Sequence, residues 1–155
     1  MITKLVEKLN EKNMTIATAE SCTGGMIGGC ITSVSGASNV YNEGYITYSN
    51  EAKEKNLGVS HITLETYGAV SENTAREMAD GVRRKANADI GIAVTGIAGP
   101  GGGTEEKPVG LVYIGVATQK SVEAHKFIFS GGREEVRKST VENAVRLAYE
   151  VCEKL

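Results

Sequence analysis

The chain has 155 residues, 41% of them hydrophobic and 23% charged, with a formal net charge of −2. This is the size of one domain (1–155) with enough chain for a core. No apolar run is long enough to cross a bilayer, and the faint acidity disfavours bulk nucleic-acid binding, so any anion has to be held locally.

Met1–Lys8 mixes acid with base and lacks a signal-peptide core, so the expected location is the cytoplasm. Three cysteines, Cys22, Cys30 and Cys152, show no paired spacing, and with only His61 and His125 beside them no zinc ligand set is visible. No metal and no cofactor is expected. The 19 glycines cluster in particular loops and so mark backbone geometry.

Residues 2–12 place Ile2, Leu5, Val6 and Leu9 on one face at helical spacing. Met14–Thr18 is short and β-branched and reads as a strand. Ala19-Glu20-Ser21-Cys22-Thr23-Gly24-Gly25 follows, then the small, apolar stretch Met26–Val34, which reads as a buried helix. A strand that passes into a helix through small polar residues leaves backbone N–H groups unpaired at the helix start, where negative charge is favoured. Such a turn suits a phosphate, or a Ser21 nucleophile beside an oxyanion hole. It equally suits a Ser21 or Thr23 that only caps the helix.

Ser35–Asn39 reads as a loop and Tyr41–Tyr48 as a strand. Asn50 is a candidate N-cap for a short helix closing at Gly58, which puts Lys53 in its first turn. There it is either a solvated lysine balanced by Glu51 and Glu54, or a general base whose pKa the helix dipole and burial lower. Ser60–Tyr67 reads as a further helix. Ser71 caps a longer one, Glu72–Ala86, with Ala75, Met78, Ala79 and Val82 inward. Asp89–Thr95 is a continuous apolar run suited to a central strand.

The glycine-rich loop Gly96–Pro108 fits neither the dinucleotide fingerprint nor a Walker A loop, but its place directly after a central strand favours a functional role. Val109–Thr118 and Val122–Ser130 read as a hairpin, and about Arg133 to Lys154 as the last helix. Arg133 and Arg137 are surface charges, or hold a phosphate with Gly131 and Gly132. The expected architecture is a three-layer α/β/α sandwich around a mixed, mostly parallel sheet of about five strands.

In such sheets ligands bind beyond the carboxyl ends of the strands. That rim collects Ser21, Thr23, Tyr48, Lys53, Thr95 and glycine amides. His61 and His125 fall elsewhere, so a serine nucleophile needs a lysine base, and Lys53 is best placed. Cys22 is the rival nucleophile.

Five ordered motifs resemble the CinA C-terminal family: Ala19–Gly25, Gly44–Lys53, Gly68–Ser71, Thr95–Gly102 and Glu106–Gly110. The resemblance implies a nicotinamide-nucleotide amidohydrolase, which converts nicotinamide mononucleotide to nicotinate mononucleotide and ammonia with a serine–lysine pair. It carries the nucleophile onto Ser21, the base onto Lys53 and Tyr48 beside them. Thr95, Gly96, Ala98 and Gly99 carry over as substrate-binding positions; Thr23, Gly24 and Gly25 join them from the reading of the rim, and Arg133 or Arg137 is the choice for the phosphate. It also implies a homo-oligomer, a dimer or higher, and a small nucleotide as the partner. A non-catalytic nucleotide-binding or regulatory module shares these features, as does a hydrolase of another small amide.

Overall fold

The strand most buried on both faces organises the molecule. Ile90–Gly96 (β3) alternates Ile90, Ile92 and Val94 on one face with Gly91 and Ala93 on the other, and every residue but the last is buried. On one side β3 pairs in parallel with Ile16–Glu20 (β1), which pairs in parallel with Gly44–Ile46 (β2). On the other side it pairs antiparallel with Leu111–Ala117 (β4), itself antiparallel to Val122–Ile128 (β5). The strand order is β2-β1-β3-β4-β5, so only β4 runs against the rest and the sheet is mixed and mostly parallel, as expected. The structure is a computed structural model describing residues Met1–Leu155.

The two faces of the sheet differ in bulk. Branched side chains of β3 and β4 pack against Ile2–Lys12 (α1), Met26–Thr32 (α2) and Arg133–Lys154 (α6). The opposite face is built from Ala17, Ala19, Ala93 and Ala117 and receives Met78, Ala79 and Val82 of Glu72–Ala86 (α5). Small residues let α5 approach the backbone closely. A Cβ added at Gly115 would lie 2.2 Å from the carbonyl oxygen of Ala75. Asn50–Leu57 (α3) and His61–Tyr67 (α4) pack beside α5 and complete that layer.

Several boundaries depart from the sequence reading. β1 starts and ends two residues later, because Ala19 and Glu20 pair with β3 on one side and β2 on the other. β2 is only three residues long. Tyr41 lies outside the ladder and turns its phenol inward to Thr18 Oγ1, 2.6 Å away. The helix holding Lys53 is capped by Ser49, whose Oγ accepts from the Ala52 amide, and not by Asn50. α2 stops at Thr32, where the Thr32 and Ser33 hydroxyls bond back to preceding carbonyls and compete with the helix ladder. The expected loop at Ser35–Asn39 contains a short 3-10 turn.

β2 and β3 flank β1. The chain leaves β1 through α2 on one face and returns to β3 through α5 on the other. The carboxyl ends of these three strands therefore open at a topological switch point, where open α/β sheets build their sites.

Candidate active site

Ser21 is the first residue after β1. Its amide donates to the Val94 carbonyl, and its own carbonyl accepts from Gly24. Gly24 and Gly25, at φ of 57° and 107°, reverse the chain into α2 in a region that side chains with a Cβ rarely adopt. The Ser21 main chain is held on both sides, and only 8% of the residue is exposed.

The partner comes from α3. Lys53 Nζ donates to Ser21 Oγ at 3.1 Å, to the Thr47 carbonyl at 2.8 Å and to the Tyr48 carbonyl at 3.4 Å. Lys53 is 1% exposed and has no carboxylate partner. Burial lowers its pKa to about 8. The cause is loss of hydration, the burial that the sequence suggested beside the helix dipole. In the neutral amine two N–H bonds are taken by the two carbonyls, which leaves the lone pair for the serine proton. The pair can pass a proton without moving more than a few tenths of an ångström.

Both arginines reach this rim. Arg133, the first residue of α6, donates to the Gly99 carbonyl at 2.9 Å and to the Tyr48 phenol at 3.2 Å. It therefore clasps the glycine loop to the β2–α3 corner. Arg137, one turn later, donates to the Cys22 carbonyl at 3.0 Å and the Thr23 carbonyl at 3.2 Å. Its guanidinium braces the Ser21 turn. Tyr48 meets Lys53 through its carbonyl, while its side chain is 63% exposed and its hydroxyl faces Arg133.

Other expected contacts are arranged differently. Thr23 is fully buried, and its hydroxyl donates to Glu20 Oε1 at 2.5 Å. The Thr95 hydroxyl is buried and donates to the Ala69 carbonyl. Each hydroxyl holds a neighbouring segment in place. Gly96 continues the β3–β4 ladder, and Ala98 and Gly99 lie buried at the base of the glycine loop. The amides of Thr23 and Gly25 donate to no group of the protein, whereas those of Ile27 and Gly28 at the start of α2 are occupied by the Glu20 carboxylate. Cys22 is buried, and burial raises its thiol to about 11, so it lacks the thiolate character of a nucleophile. His61 sits on the surface between Glu54 and Glu65, and His125 beside Glu123 on β5.

The sequence reading missed Glu20 and Thr47. A carboxylate directly before the serine with no cation nearby was the available signal. A cavity of about 420 Å³ is lined by Met14, Arg83, Asp89 and Thr118 among others, at the opposite end of the sheet. Concavity and chemistry do not coincide in this closed arrangement.

The profile of the CinA C-terminal domain matches residues 1–152. The chain belongs to the CinA C-terminal domain family. A competence-damage inducible protein of Alkaliphilus metalliredigens is 60% identical over 141 residues, covering 91% of this chain and 34% of that protein. One from Thermoanaerobacter is 57% identical over 143 residues, covering 92% and 35%. The chain thus spans about a third of the length of these curated relatives. Among solved structures, the competence/damage inducible protein CihA from Agrobacterium tumefaciens is 43% identical with a TM-score of 0.89, over 94% of this chain and 92% of that one. A CinA superfamily protein from Klebsiella pneumoniae has a TM-score of 0.95 at 33% identity, over 99% and 96%. The CinA family fold is thereby the fold of this chain.

Proposed function

We propose that this CinA-family chain is a serine–lysine amidohydrolase acting on the carboxamide of nicotinamide mononucleotide. The observation that carries this reading is the buried Lys53 amine, 3.1 Å from Ser21 Oγ and lowered toward neutrality by burial. An amine that is partly neutral near physiological pH is what a general base for a serine requires.

Neutral Lys53 takes the Ser21 proton as Oγ attacks the carboxamide carbon. The carbonyl oxygen becomes an oxyanion, for which the amides of Cys22, Thr23 and Gly25, unpaired with any other residue, are main-chain donors along the turn. The C–N bond then breaks, and the Lys53 ammonium gives its proton to the departing nitrogen, which leaves as ammonia. Water, deprotonated by Lys53, attacks the acyl-enzyme, releasing nicotinate mononucleotide and restoring Ser21. Arg133 lies at the exposed mouth of the site and suits the substrate phosphate, exchanging its contacts with Gly99 and Tyr48 for the anion. Arg137 is spent on two carbonyls and acts as a brace.

The test is ammonia release from nicotinamide mononucleotide. The parent is expected to turn over, and Ser21→Ala to lose at least about a thousandfold. The parent's rate should rise through pH of about 8 as Lys53 loses its proton, and Lys53→Met should abolish that rise. Undiminished release by Ser21→Ala refutes the scheme. Binding of the nucleotide without turnover by the parent assigns the site to a non-catalytic module.

A further inference from the structure

The mechanism leaves one buried acidic side chain unused. Glu20 is 2% exposed and has no lysine, arginine or histidine partner. A carboxylate withdrawn from water is costly unless its oxygens are fully hydrogen-bonded. Here they are. Oε1 accepts from the Thr23 hydroxyl at 2.5 Å and from the Ile27 amide at 2.9 Å, and Oε2 accepts from the Gly28 amide at 3.0 Å. Gly28 leaves room for Tyr41 near this group. A Cβ added at Gly28 would lie 2.7 Å from the Tyr41 hydroxyl and 3.6 Å from Glu20 Oε2. A glycine stands where a side chain would crowd Tyr41, whose phenol lies beside the carboxylate.

The contacts of Glu20 run to both halves of the proposed pair. Its side chain ties the strand end to Thr23, Ile27 and Gly28, and so fixes the turn that presents Ser21 Oγ. Its main-chain carbonyl accepts from the Thr47 amide at 2.9 Å. The Thr47 carbonyl in turn accepts from Lys53 Nζ at 2.8 Å. One residue therefore links the nucleophile's turn to the acceptor that orients the base. The link to Thr47 is main chain and belongs to the position, whereas the side chain acts on the serine's turn.

We propose that Glu20 is a positioning residue for the Ser21–Lys53 pair, its carboxylate holding the serine's turn in register with the strand end that orients the lysine. The proposal rests on the amidohydrolase reading for its catalytic meaning, but its test does not depend on that substrate. Glu20→Gln keeps the shape and one acceptor oxygen for Thr23 and Ile27, and it turns an NH2 toward the Gly28 amide, so the seat opens on one side.

The readout is the rate constant for covalent labelling of Ser21 by a fluorophosphonate probe, followed across pH, beside kcat and KM for nicotinamide mononucleotide. In folded Glu20→Gln, labelling and kcat should fall together by about 10- to 100-fold, as sub-ångström misplacement of reacting groups does. KM should stay within about twofold, and the pH of half-maximal labelling should stay at the parent's value. A Glu20→Gln protein with a lower melting temperature but the parent's labelling rate overturns the proposal, since that is the signature of a purely structural carboxylate. If Glu20→Gln does not fold, Glu20→Asp keeps the charge and shortens the reach by one methylene. Its labelling should fall in the same way, and parent-like labelling overturns the proposal equally. A parent that labels at Ser21 yet releases no ammonia sinks the hydrolase reading and leaves the labelling comparison intact.

Discussion

Lys53 departs furthest from ordinary behaviour, and its protonation is linked to folding. Its folded pKa is about 8, against 10.5 for an unperturbed lysine. Between those two values the unfolded chain binds more protons than the folded one, so the stability that Lys53 contributes rises as pH rises through this window. Below about 8 both states hold the proton and the contribution is flat. Chemical denaturation of the parent and of Lys53→Met across this range checks the sign. The stability difference between them should move in the parent's favour from pH about 8 to about 10.5, whatever its offset at neutral pH. A constant difference would mean that the amine is as well hydrated in the fold as outside it.

At the scale of elements, the molecule is organised by which strand faces are small. α5 lies so close to β4 that Gly115→Ala would drive a Cβ into the Ala75 carbonyl. The expected cost is about 1–3 kcal/mol of overpacking, read as a lowered denaturation midpoint. The start of the same helix is held by Ser71, whose Oγ accepts from the Thr74 amide at 3.1 Å and donates to the Gly68 carbonyl at 3.0 Å. Ser71→Ala should cost about 1 kcal/mol, measured in the same way. These elements were legible in the sequence because their signals are local: Ser71 before an amphipathic run, Asn13 and Gly58 after helices, an unbroken apolar stretch for β3. Ser21 and Lys53 were legible as candidates for a similar reason, each sitting beside a turn or cap. What escaped was set by partners far along the chain. Tyr41 reads as strand by composition, yet its hydroxyl is claimed by Thr18. Thr23 and Thr95 read as ligand-facing hydroxyls, yet Glu20 and the Ala69 carbonyl claim them. Glu20 itself looks like a misplaced charge until two amides from the next helix arrive.

For the whole molecule, the sheet order concentrates protection at its centre. β1 and β3 are flanked by strands on both sides and covered by helices on both faces, while β2 is a three-residue edge. Amide hydrogen exchange should therefore be slowest along Ala17–Glu20 and Ile90–Val94 and much faster in Tyr45 and Ile46. The carboxyl ends of those slow strands carry Ser21 and Thr95, whereas Tyr48 and Lys53 follow the exposed edge strand. The proposed nucleophile thus follows a central strand of the sheet, and its base follows the edge strand.

The guanidinium of Arg133 lies across the mouth of this rim, holding two loops shut with bonds to Gly99 and Tyr48. Under the proposed function this guanidinium exchanges those two uncharged acceptors for the substrate phosphate, a stronger partner. Shortening it to alanine should cut kcat/KM for the nucleotide by an order of magnitude or more, while free nicotinamide, which brings no anion to exchange for the latch, should pass the opened entrance no less readily than before.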